Sequence, residues 1–152
     1  MTYTIKEVAA KTKLSIYTLR FYDKQGLLPF VARNSSGYRA FTDGDLNLLH
    51  TICCLKETGM KIKDIRQYID YVMLGPASVV QRRELLENHR RAVVAQQAKI
   101  AESLAEIDYK LNIYTTPEAQ KILAMEQAFA GAEKVANHLP NPYLSVQSGH
   151  SE

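Results

Sequence analysis

The chain has 152 residues, with 19 Lys and Arg against 16 Asp and Glu and a formal net charge of +3. One domain with an extension fits that length. A disulfide scaffold is excluded, since the only cysteines are the adjacent Cys53 and Cys54. No apolar run follows Met1 and none approaches the roughly 18 residues of a membrane span, so a cytoplasmic protein is expected.

The basic excess is local. Residues 1–75 carry 11 Lys and Arg against 7 Asp and Glu, whereas residues 116–152 carry 2 against 4. A polyanion would therefore be met by the first half.

In chain order, Thr4-Ile5-Lys6-Glu7 reads as a capping box opening a helix over about 5–12. Lys13 and Leu14 connect it tightly to a second helix, with Ser15 as N-cap and Gly26 as the residue that ends it. Ile16, Leu19 and Leu27 hold one face of that helix against a core, and Tyr22 or Asp23 continues the spacing. Tyr17, Thr18, Arg20 and Lys24 fall on other faces, where hydroxyls and a guanidinium can reach phosphate or base edges. Two short helices and a short turn make a helix-turn-helix. An ordinary amphipathic helix with a solvated face is the alternative for this segment alone.

Pro29 stops the helical pattern. Residues 30–33 and 38–41 read as two short strands around the turn residues Asn34 to Gly37, giving a hairpin that carries Arg33 and Arg39. Thr42 caps a third helix with Asp43 and Asp45 at its positive end, and Gly59 closes it. A fourth helix is patterned over about 62–73, and Gly75-Pro76 breaks it. A long helix is then expected from about Ser78 to Tyr114. Val79, Leu86, Val93, Ile100, Ile107 and Tyr114 recur every seven residues, with Arg83, Arg90, Gln97, Leu104 and Leu111 at the companion heptad position. Roughly 55 Å of helix with one apolar seam needs a partner, most simply the same helix of a second chain. Thr116 and Pro117 are read as N-cap and first residue of a last helix striped by Ile122, Met125 and Phe129. Residues 144–152 are expected to be disordered.

Thr18-Leu19-Arg20-Phe21-Tyr22, Gly26-Leu27-Leu28, Gly37-Tyr38-Arg39, Phe41 and Asp45 together resemble the MerR family of bacterial transcription factors, in order and in spacing. The resemblance runs across positions 3–75, agrees with the long helix, and fades after Tyr114. It implies a mainly α protein: a winged helix-turn-helix DNA-binding domain (1–75), an antiparallel coiled-coil dimerisation helix (76–115), and a short C-terminal helix with a flexible tail (116–152). The implied activity is that of a homodimer on double-stranded promoter DNA. It distorts an over-long spacer so that RNA polymerase engages both promoter elements, with deformation energy as the controlled quantity. By position, Thr18, Arg20 and Tyr22 on the recognition helix and Tyr38 and Arg39 on the wing become DNA contacts. Lys61 and Lys63 become phosphate contacts. Many relatives have a capping Ser or Thr where this chain has Lys61, which cannot cap that way. Phe21 is read as a core residue.

The effector is expected to act through a thiol. Residues 75–152 contain no cysteine, and His89, His138 and His150 lack ligand spacing, so neither a metal nor an iron–sulfur cofactor is expected. The 37 residues after the coil are too few for the ligand domain of the large multidrug-sensing relatives. Cys53 falls on the apolar side of helix three. Cys54 falls on a polar stripe, with His50 one turn before it. Its position resembles the single cysteine of a branch of the family that responds to aldehydes and other small electrophiles. The alternatives are a non-covalent small molecule bound around Phe129 and Tyr109, and a repressor or architectural DNA-binding protein without effector. No nucleophile–base–orienter set is evident, so an enzyme is not expected.

Overall fold

A computed structural model describes residues 1–144; the disorder expected further on, and His150, lie outside the described residues. The chain forms two compact units, Met1–Gln96 and the part from Gln97 onward.

In the first unit, α1 (Ile5–Thr12) and α2 (Ile16–Lys24) form the helix-turn-helix. Both begin as their sequences dictate. The Thr4 hydroxyl accepts from the Glu7 amide at 3.3 Å, and the Glu7 carboxylate accepts from the Thr4 amide at 2.7 Å. Ser15 Oγ accepts from the Thr18 amide at 3.0 Å. Lys13, between the helices, has φ 58°. At the far end of α2, Gly26 (φ 76°) takes the left-handed turn that frees Leu27 and Leu28 to enter the core.

Strands β1 (Ala32–Arg33) and β2 (Arg39–Ala40) pair antiparallel, Ala32 with Ala40 and Arg33 with Arg39. They are shorter than expected, but the wing has a further neighbour. Tyr3 and Phe41 exchange both backbone hydrogen bonds, at 2.7 and 2.9 Å, so the N-terminal segment lies along the chain leaving β2. The turn is held by Asn34 Oδ1, which accepts from the Ser36 and Tyr38 amides at 3.0 Å each, and by Gly37 at φ 83°.

Helix α3 (Asp43–Glu57) starts with a Thr42–Asp45 capping box, and α4 (Ile62–Met73) follows the turn at Gly59. Val8, Leu19, Leu27, Leu28, Val31, Phe41, Leu49, Ile52, Ile65 and Ile69 are all buried and draw α1–α4 and the wing into one core. Cys53 and Leu85 pack on its edge.

A 3-10 turn (Gly75–Ser78) leads into α5 (Val79–Tyr114), a single helix of 36 residues. Here an unforeseen side chain governs the junction. The Arg82 guanidinium donates to the carbonyls of Tyr71, Val72 and Gly75 and to Ser78 Oγ, at 2.9–3.3 Å. It adds charged donors to carbonyls at the end of α4 and in the turn, of which those of Tyr71 and Gly75 also accept from the Ser78 hydroxyl. Further along α5, His89 Nε2 lies 2.7 Å from the Thr58 hydroxyl.

In the second unit, α6 spans Ala119–Ala136. The expected cap at Thr116 is not formed. Its hydroxyl donates back to the Ile113 carbonyl at 2.9 Å, and Glu118 takes the N-cap position without a side-chain bond. Thr116 thus finishes α5 through a turn instead of starting α6. Gly131 is buried because Asn141 folds back over it; a Cβ there would lie 2.4 Å from Asn141 Nδ2.

Among the described residues, no helix is long and apolar enough to cross a membrane.

Candidate nucleic-acid interface

The outward face of α2 follows from its core face. Leu19 is fully buried, which turns Tyr17 (81% exposed) and Arg20 outward. Thr18 is half-buried, with its hydroxyl 2.9 Å from Ser15 Oγ. Arg20 enters no ion pair among the described residues, so its guanidinium is free for an anion.

The wing stands beside this face. Between them is a cleft of about 430 Å³ lined by Arg20, Asp23, Arg33, Tyr38, Arg39 and the Thr2–Ile5 segment. Tyr38 is 73% exposed at the wing tip, and Arg33, also exposed, donates to the Gly37 carbonyl at 2.8 Å. Lys61 and Lys63 are exposed at the start of α4, and Lys61 is the N-cap without a side-chain cap bond.

Two residues assigned to DNA by the resemblance have other surroundings. Tyr22 is a core residue, because it follows Leu19 by three positions and shares its face. Burial, followed by the charges of Cys53 and Glu57, raises the pKa of its phenol. Arg39 is half-buried and turned into the protein. Its Nε donates to Asp23 Oδ2 at 3.2 Å, one terminal nitrogen donates to Asp23 Oδ1, and the other donates to the Val31 carbonyl. The reverse holds for Phe21, read as core: it is 38% exposed and tilts against the Tyr22 ring at 6.1 Å. Tyr17 and Arg33 join the exposed face. A large aromatic on the side of α2 opposite Leu19 was the available signal for Tyr17.

On α3, Cys54 and His50 are exposed one turn apart, while Cys53 is half-buried. Burial, and then the Glu57 charge, raises the Cys53 pKa. Cys54 is the accessible thiol. No group of three or more His, Cys, Asp and Glu among the described residues is arranged to hold a metal. Phe129 and Tyr109 are 67% and 58% exposed, and the cleft of about 220 Å³ on α6 is lined by other residues, including Ala124, Asn141 and Tyr143.

Comparison with known proteins agrees with this architecture. The family profile described as MerR HTH family regulatory protein matches residues 3–72, and that described as MerR, DNA binding matches residues 46–109. An HTH-type transcriptional regulator of Haemophilus influenzae is 44% identical over 119 residues, covering 78% of this chain and 88% of that relative. The HTH-type transcriptional regulator YyaN of Bacillus subtilis is 32% identical over 127 residues, covering 75% and 91%. The crystal structure of HiNmlR, a MerR family regulator lacking the sensor domain and bound to promoter DNA, superposes with a TM-score of 0.72 at 44% identity, covering 78% of this chain and 94% of that one. The helix-turn-helix, the small wing and the long helix are thus those of a known family, and this chain is a MerR family transcriptional regulator.

Proposed function

We propose that this protein is a homodimer that binds double-stranded promoter DNA, distorts it, and so controls access of RNA polymerase. The observation that carries this reading is the pairing of an outward recognition face on α2 with a basic wing across one cleft. Thr18, Arg20 and Tyr38 contact the duplex from the two sides, and Lys61 and Lys63 take phosphates at the start of α4. Tyr17 and Arg33 extend the same surface. The crystallised relative HiNmlR is itself bound to promoter DNA, which supports the reading. Residues 1–75 then act as the DNA-binding part, 76–115 as the dimerisation helix, and 116–152 as an appendage.

The dimer of this reading is supported by α5, which buries none of its own residues in the single chain. Ile100, Leu104, Ile107, Leu111 and Tyr114 are 52–67% exposed. A heptad seam left this open is satisfied by a second copy.

The effector in this reading is a small electrophile at Cys54. An aldehyde would add to the thiol: an S–C bond forms at the carbonyl carbon and the thiol proton passes to the carbonyl oxygen. The exposure of Cys54 beside the half-buried Cys53 supports this choice. Intact-protein mass spectrometry after methylglyoxal or formaldehyde treatment, with Cys53→Ser and Cys54→Ser proteins alongside, tests it. Cys54 is expected to be modified first, and in vitro transcription from a selected promoter should change with it. Modification confined to Cys53, or transcription that responds equally in the Cys54→Ser protein, would remove the thiol from the account.

A further inference from the structure

We infer that Arg39 is a positioning residue of the DNA interface, and that the Asp23–Arg39 pair sets the wing against α2 so that Arg20 and Tyr38 meet one duplex. The inference rests on the DNA-binding reading above and assigns the pair a part in it.

Three donors of the Arg39 fork are engaged, two by the carboxylate of Asp23 and one by the Val31 carbonyl. The three residues belong to different segments: the acceptor Asp23 to the last turn of α2, the acceptor Val31 to the approach to β1, and the donor Arg39 to β2. One planar group therefore ties both strands of the wing to the recognition helix. The geometry suits guanidinium, whose rigid fork meets a carboxylate side-on while a third N–H points elsewhere. The side chains of Arg39 and Asp23 are 24% and 29% exposed, so the pair is partly sheltered from solvent. Among the described residues the other ion pair, Arg83–Glu87, is an exposed contact within α5.

If Arg39 swung out to a phosphate, two groups would lose their partner. The Asp23 carboxylate would face the polyanion alone, and the carbonyl of Val31, a residue 2% exposed, would lose its donor. Arg20 and Arg33 lie in the same cleft without a carboxylate partner and are the cations suited to phosphate. The cleft thus divides its three arginines between contact and alignment.

The two roles predict opposite signs for Asp23→Asn. A phosphate-contacting Arg39 would be released by that change, and the polyanion would face one negative charge fewer, so DNA binding would tighten. An aligning pair would be broken, so binding would weaken. The experiment uses the full-length protein, a duplex enriched from random-sequence DNA by the wild-type chain, and poly(dI-dC) as the unselected duplex. Asp23→Asn, Arg39→Gln and the double variant are each expected to weaken binding to the selected duplex about tenfold. The double variant should lose no more than either single one, because one interaction is removed in all three. Binding to poly(dI-dC) should hold within about twofold, which a merely loosened fold would not permit. The slope of log affinity against log salt should stay at the wild-type value for Arg39→Gln, and fall by about one per protomer for Arg20→Ala. Tighter binding by Asp23→Asn, a slope lowered in Arg39→Gln as in Arg20→Ala, or equal losses on both duplexes would each overturn the inference. If the wild-type chain enriches no duplex, the DNA-binding reading itself fails, and this inference with it.

Discussion

Individual residues divide here by how far away their partners lie in sequence. Thr4, Ser15 and Thr42 were legible as caps because each bonds to an amide three residues on. The surroundings of Arg39 were not legible, because its partners are 16 and 8 residues away and no local pattern announces them. Tyr22 was legible in principle: it continues the stripe of Leu19, and the period of the helix spoke for the core where family position spoke for DNA. Glu7 gives a prediction at this scale. The Thr4 amide, and then the Thr4 hydroxyl, hold its carboxyl below the usual range. A carboxyl depressed in the folded state adds stability above its unfolded value of about 4.3, and that stability is lost as pH falls through the folded value. Melting temperature against pH should therefore show wild type above Glu7→Gln at pH 7. The gap should close on acidification below the ordinary carboxyl range, and a gap constant from pH 7 to pH 2 would contradict this assignment.

Elements were legible wherever a local start, a local stop and a period coincided. The ends of α1 and α4 fall where capping, glycines and apolar spacing put them. The wing strands came out shorter because Tyr3 takes over pairing at Phe41, a contact between the first residues and the far side of two helices. The start of α6 moved to Ala119 because residues 115–118 form a turn, in which the Thr116 hydroxyl donates to the Ile113 carbonyl and Glu118 takes the N-cap position. At the α4–α5 junction, Gly75-Pro76 marked the break, while the group that holds the break together is Arg82, reaching back across it. Loss of these charged hydrogen bonds in Arg82→Ala should cost about 2 kcal/mol, read as a lowered urea midpoint. Arg82→Lys should recover part of it, since the three carbonyls are all met by one terminal nitrogen, whose place an ammonium can take, while the Nε bond to Ser78 Oγ is lost. An unchanged midpoint for the alanine variant would show that the junction holds without the arginine.

At the scale of the whole molecule, the apolar surface is distributed as the proposed dimer requires. The first unit has its own core of α1–α4 and the wing. By contrast α5 contributes Leu85 to that core's edge and leaves its heptad seam open. On α6, Met125 and Phe129 are also more than 60% exposed. The seven-residue recurrence was legible in the sequence because it needs only a count. That Arg39 turns inward on the wing was not, because its partners lie in segments far apart in the chain.

The measurement that tests this account most directly is the mass of the protein, free and on its selected duplex, by analytical ultracentrifugation, beside a seam variant, Ile107→Glu. The wild-type chain should sediment as a dimer and place two chains on one duplex. Ile107→Glu should shift toward monomer and lose binding to the selected duplex while keeping the helical signal of a folded chain. A wild-type chain that binds the selected duplex as a monomer, or a seam variant that binds it undiminished, would contradict a regulator built on a paired α5.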